Sequence, residues 1–131
     1  MNACPVLVVD DDPTILATVA DALDLEGFRV FTATNGQEAL DALDTEINGK
    51  PRPKVVLLDM RMPVLDGWGF MRAVHERGLS MSVVVMTAAA DARRWAREID
   101  AHGVLPKPFE LDELLSAVRR FCASQPSRSE N

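Results

Sequence analysis

Residues 6–15 read VLVVDDDPTI: four apolar positions, Val6 to Val9, run straight into Asp10, Asp11 and Asp12. Apolar residues at successive positions fit a strand buried on both faces. Three carboxylates then stand where that strand ends. At about 4 Å two of them repel by about 4 kcal/mol in a surface-like dielectric, so the cluster needs a cation, a helix end or solvent to relieve it. Asp12 followed by Pro13 has the form of a helix N-cap with proline at the first helical position. That leaves Asp10 and Asp11 as the pair that asks for a cation.

Working outward, further apolar runs appear at "FRVFTA" from Phe28, "VVLL" from Val55 and "SVVVM" from Ser82, with a weaker "VLP" at Val104. Between them the apolar positions recur at helical steps. The spacing predicts helices from Pro13 to Glu26, stopped by Gly27; from Asn35 or Gly36 to Leu43; from Gly67 to Arg77, stopped by Gly78; from about Ala92 to Ala101, stopped by His102 and Gly103; and from Leu111 to Phe121. "DTEINGKPRP", from Asp44, has no periodicity and reads as a surface loop, and the last eight residues, 124–131, as a polar tail beyond a single domain over residues 1–123. Strands alternating with helices give right-handed crossovers and hence an α/β fold, a doubly wound parallel sheet covered on both faces. In such sheets ligands bind beyond the carboxyl ends of the strands, where Asp10 and Asp11 fall.

The bulk numbers exclude several classes. The 131 residues suit one core, and 47% hydrophobic with 26% charged residues suits a globular protein rather than a disordered one. A net charge of −6 without a basic tail argues against a nucleic-acid surface. "VVVMTAAA", from Val83, is too short to span a bilayer, and no leader opens the chain. Cys4 and Cys122, at opposite ends and without metal-like spacing, read as two free thiols in a reducing compartment, so the expected location is the cytoplasm.

Other strand ends carry polar groups too: Asp59 after "VVLL", Thr87 after "SVVVM", and Lys107 after the weak fifth run. Each alone is an ordinary turn former, hydroxyl or solvated charge. In a parallel sheet they converge with Asp10 and Asp11 into three carboxylates, a hydroxyl and an ammonium. The carboxylates suit a hard divalent cation such as magnesium, and the lysine suits an anion.

"DMRMPVLDG" from Asp59, with the acidic pair Asp10 and Asp11, Thr87 beside Ala88, and "KPF" at Lys107, resembles the receiver domain of two-component response regulators from about Val6 to Phe121. The resemblance implies a flavodoxin-like strand order 2-1-3-4-5. It implies that Asp59 accepts a phosphoryl group from a sensor histidine kinase, a histidine phosphotransfer protein or a small phosphodonor. Magnesium, or manganese, would be held directly by Asp11, by Asp10 mostly through water, by Asp59 and by the backbone carbonyl of Arg61. Lys107 would pair first with Asp59 and then with a phosphoryl oxygen, the Thr87 hydroxyl would bond another, and the Ala88 amide a further one. A cis peptide between Lys107 and Pro108 is expected on the same ground. His75 and His102 take no part.

Departures from the family pattern are Val104, where many receivers carry an aromatic switch residue, and the basic run Arg93, Arg94 and Arg97 around Trp95. That run is either a solvated helix face or a docking surface. The resemblance implies that Ala89 and Arg61 flank the path of attacking water. Two rivals stay open: a pseudo-receiver acting without phosphorylation, and a small aspartate-nucleophile phosphatase, since Asp10, Asp12 and Thr14 also read as D-x-D-x-T. With no output module visible, the expected action is a change of contacts with a downstream protein, as a monomer or weak dimer, with no nucleic acid or membrane engaged directly.

Overall fold

The structure is a computed structural model that describes residues 4–44 and 52–123. Five parallel strands, β1 (Pro5–Val9), β2 (Arg29–Ala33), β3 (Val55–Leu58), β4 (Ser82–Val85) and β5 (Gly103–Val104), form one sheet in the order β2-β1-β3-β4-β5. Among the described residues five helices follow the strands in turn: α1 (Pro13–Leu25), α2 (Gly36–Leu43), α3 (Gly67–Glu76), α4 (Ala89–Glu98) and α5 (Leu111–Ala123). The polar tail, and most of the loop expected from Asp44, lie outside the described residues.

Alternation along the central strands builds two cores. Val6, Val8, Val55, Leu57 and Val84 face one side, with Val19 and Leu23 of α1 and Leu114, Leu115, Val118 and Phe121 of α5. Leu7, Val9, Val56, Leu58, Val83 and Val85 face the other, with side chains of α2, α3 and α4. Because side chains point alternately to opposite faces, a strand with helices on both sides must be apolar throughout. β2, at the sheet edge, is only part-buried.

The helix ends follow their local chemistry. Asp12 accepts from the Thr14 amide at 2.9 Å and the Ile15 amide at 3.3 Å, with Pro13 in the first turn, so its charge meets the positive end of α1. Asp66 caps α3 by accepting from the Gly69 amide at 2.9 Å. The fourth helix departs from expectation by three residues at each end. It starts at Ala89 from an N-cap, Ala88, that offers no side-chain bond, and Asp100 at φ 56° breaks it before His102. No capping residue marks this start, and Asp tolerates the left-handed conformation that glycine usually supplies.

The cysteines also depart from expectation. Cys4 and Cys122 are joined in a disulfide, with Cα atoms 6.1 Å apart across a sequence separation of 118, and are not free thiols. Spacing along the chain carries no hint of this. The packing of α5 beside β1 brings its last turn back to the start of the first strand, and both residues pack against the same core.

Candidate functional site

The ladder runs one step past the strands and so sets the site. The Asp10 amide donates to the Ala33 carbonyl at 3.1 Å, that of Asp59 to Val9 at 2.9 Å, that of Met86 to Leu58 at 2.8 Å and that of Lys107 to Thr87 at 2.7 Å. Asp10 and Asp59 therefore stand side by side at the carboxyl edge, with Thr87 and Lys107 beyond. One oxygen each from Asp10, Asp11 and Asp59 falls within 4.8 Å of the others. Asp10 is fully buried, Asp59 is 7% and Thr87 5% exposed, whereas Asp11 faces solvent.

Asp10 uses both carboxylate oxygens inside the protein, accepting from the Asp12 amide at 2.9 Å and the Lys107 ammonium at 2.7 Å. Lys107 Nζ stands 3.8 Å from Asp59 Oδ2. The lysine thus pairs with Asp59, as the resemblance implied, and also makes a closer contact with Asp10 that was not expected. A carboxylate removed wholly from water needs a donor more than one that keeps some exposure. Ala88 forms a parallel bridge with Lys107, and the peptide between Lys107 and Pro108 is cis.

The loop from Asp59 to α3 holds its shape by close contact. A Cβ on Gly67 would come within 2.5 Å of Met60 Sδ and 2.9 Å of Met60 Cα, and the Gly67 amide donates to the Met60 carbonyl at 2.9 Å. At its tip the Leu65 amide donates to the Pro63 carbonyl at 2.8 Å around Val64, whose φ is 70°, a γ-turn.

Burial, the largest cause, pushes the Asp59 carboxyl up from its ordinary 3.8 to about 6; Lys107 and the Met60 amide pull it back, while Asp10 and Asp11 add repulsion. A carboxyl whose pKa is higher folded than unfolded opposes folding once ionised. That opposition is present above about pH 6 and disappears as pH falls toward the unfolded value. With a chelator present, the wild type should therefore gain stability relative to Asp59→Asn on acidification from pH 7 to 4, by up to about 3 kcal/mol. Urea unfolding of both proteins across that range checks it, and parallel pH profiles would reject it.

Hard oxygen donors with an excess of negative charge over a single ammonium fit a magnesium- or manganese-type ion. Asp12 lies outside this cluster because its carboxylate caps α1, which removes the D-x-D-x-T phosphatase reading. Sequence reasoning missed Trp68 altogether. Its ring edge meets Trp95 at 5.1 Å between centroids, and its Nε1 donates to Glu98 at 2.9 Å. His102, as expected, stays out of the site, its Nδ1 accepting from the Val83 amide at 3.0 Å.

An open-edged parallel sheet with an acidic pair, a third carboxylate and a lysine converging at its carboxyl edge defines a receiver. The chain belongs to the response regulator receiver domain family, whose model matches residues 6–119. It is 33% identical over 118 residues to sporulation initiation phosphotransferase F of Bacillus subtilis, covering 88% of this chain and 91% of that protein. It is 40% identical over 116 residues to the transcriptional regulatory protein PrrA of Mycobacterium tuberculosis, covering 87% of this chain and 48% of that one. Among solved structures, the chemotaxis response regulator CheY4 of Vibrio cholerae superposes with a TM-score of 0.76 at 30% identity, covering 92% of this chain and 99% of that one. The chain spans about half the length of several curated relatives it matches. No helix among the described residues is long and apolar enough to cross a membrane.

Proposed function

We propose that the protein is a phosphorylatable signalling domain in which Asp59 accepts a phosphoryl group and thereby changes contacts with a partner protein. The observation that carries this is the convergence of Asp10, Asp11, Asp59 and Lys107 at one sheet edge in a family of receivers. The Asp59 carboxylate attacks phosphorus, so an O–P bond forms as the donor's P–N bond breaks. The departing imidazole keeps the electron pair and takes up a proton. With acetyl phosphate a P–O bond breaks instead and acetate leaves. A carboxylate needs no general base, so positioning and positive charge do the work.

Magnesium or manganese, when bound, supplies positive charge to the phosphoryl oxygens. The residues that would hold it are Asp11, Asp59 and the Arg61 carbonyl directly. Asp10, both of whose oxygens already accept hydrogen bonds, would act through water. Lys107 would swing its ammonium to a phosphoryl oxygen, and the buried Thr87 hydroxyl and the Ala88 amide would take the others. We assign the protein no multiple-turnover activity.

The donor we assign is a sensor histidine kinase or a histidine phosphotransfer protein. Support comes from an apolar groove of about 480 Å3 beside the site, lined by Thr14, Ile15, Thr18, Lys107, Pro108 and Phe109. We assign the protein to the cytoplasm on the ground of that donor alone, since the Cys4–Cys122 disulfide removes the free-thiol argument, with a protein rather than a nucleic acid as its immediate target.

Incubation with acetyl phosphate and magnesium should add one phosphoryl group, seen by intact mass, and a chelator should prevent it. No adduct under conditions that label a known receiver would favour the pseudo-receiver reading. Lys107→Ala removes a cation from the developing charge and should slow adduct formation by about 10²–10³-fold, measured from the time course of the same mass shift.

A further inference from the structure

Arg61 stands two residues after Asp59, yet its guanidinium carbon lies 4.9 Å from the ring centroid of Trp95, over the face of a side chain on α4. Among the described residues no carboxylate pairs with Arg61. Its charge is held by a ring instead. Trp95 is 5% exposed and fixed from other sides as well: Trp68 of α3 meets it edge-on at 5.1 Å and 70°, and Arg94 lies 5.9 Å from its centroid. Trp68 is anchored in turn to α4 by its 2.9 Å bond to Glu98. The loop that carries Asp59 is thus tied to α4 by a cation–π contact, and α3 is tied to α4 by a ring contact and a hydrogen bond.

Phosphorylation would place a dianion on Asp59. Two residues span at most about 7 Å of backbone, within reach of an arginine side chain. A guanidinium prefers a phosphoryl group, which accepts two parallel hydrogen bonds, to the face of a ring. We propose that Arg61 is a further phosphoryl-binding residue, held by Trp95 in the resting protein and transferred to the phosphoryl group after Asp59 is modified, so that α4 loses its tie to the active loop. This rests on the reading of Asp59 as phosphoacceptor. It also supplies a route to α4 in a chain whose residue 104 is Val104, which has no ring to move.

The chain has two tryptophans and no tyrosine, so its intrinsic emission reports on this cluster alone. Emission and intact mass are followed in the same samples of the full chain during treatment with acetyl phosphate and magnesium, and emission change is expressed per adduct formed, whatever the rate at which each variant forms it. The wild type and Trp68→Phe, which leaves Trp95 as sole emitter, should both change emission in proportion to adduct. Arg61→Ala should start near the emission of the phosphorylated wild type and lose the change per adduct. Arg61→Lys, which keeps the charge without the planar fork, should restore part of it. A full change per adduct in Arg61→Ala, or adduct on the wild type without any emission change, overturns the proposal. Absence of adduct on the wild type overturns the phosphoacceptor reading itself, a separate outcome visible in the mass alone.

Discussion

Asp59→Asn, treated with acetyl phosphate and magnesium, keeps its unmodified mass while the wild type gains a phosphoryl group. The amide oxygen is a poor nucleophile and the amide cannot serve as an anionic ligand, so attack and metal binding fail together. The same substitution should leave the metal-free fold more stable at neutral pH. Asp59 is buried beside Asp10 and Asp11, and its carboxyl is pushed up to about 6 with Lys107 only partly compensating. Removing that charge relieves on the order of 3 kcal/mol at most. Lost phosphorylation with gained stability separates a functional carboxylate from a structural one, whose removal would lower stability. Urea unfolding with a chelator, set beside the mass measurement, reads both.

The second large effect concerns the cross-link. Cys4 and Cys122 close a loop with a sequence separation of 118, and constraining so long a segment of the unfolded chain stabilises by about 5 kcal/mol in the chain-entropy model, with measured losses commonly about 2–5 kcal/mol. Reduction, or Cys122→Ser, should lower the unfolding free energy by that amount without abolishing the fold, because both cores are built from strands and helices that do not depend on the link. Thiol labelling should be silent in the oxidised protein and stoichiometric after reduction. Coincident urea transitions with and without reductant would contradict this account.

What was legible in the sequence was whatever local chemistry repeats. The run Val55 to Leu58 announces a central strand because successive apolar residues have only one setting in a parallel sheet. Asp12 with Pro13, and Asp66 with Gly67, announce helix starts because their side chains cap helices. The start of α4 was illegible because Ala88 gives no capping signal and the alanines after Thr87 suit loop and helix alike. In the site, the sequence placed Asp10, Asp11, Asp59, Thr87 and Lys107 together because each follows a strand of one parallel sheet. It did not reach the second and closer partner of Lys107, Asp10, because that contact depends on how deeply Asp10 is buried relative to Asp59. The disulfide, the Arg61 guanidinium over Trp95 and the edge-on contact of Trp68 with Trp95 join residues from elements that meet only in three dimensions, and no spacing rule reaches them.

The central claim is that one carboxylate, and not its neighbours, takes the phosphoryl group. An acyl phosphate is reduced by borohydride to the corresponding alcohol, which turns a phosphorylated aspartate into homoserine. After treatment with acetyl phosphate, magnesium and borohydride, peptide mapping by mass should place homoserine at position 59 alone. Homoserine at position 10 or 11, or at none of the aspartates in protein that carries the phosphoryl mass, would contradict the account.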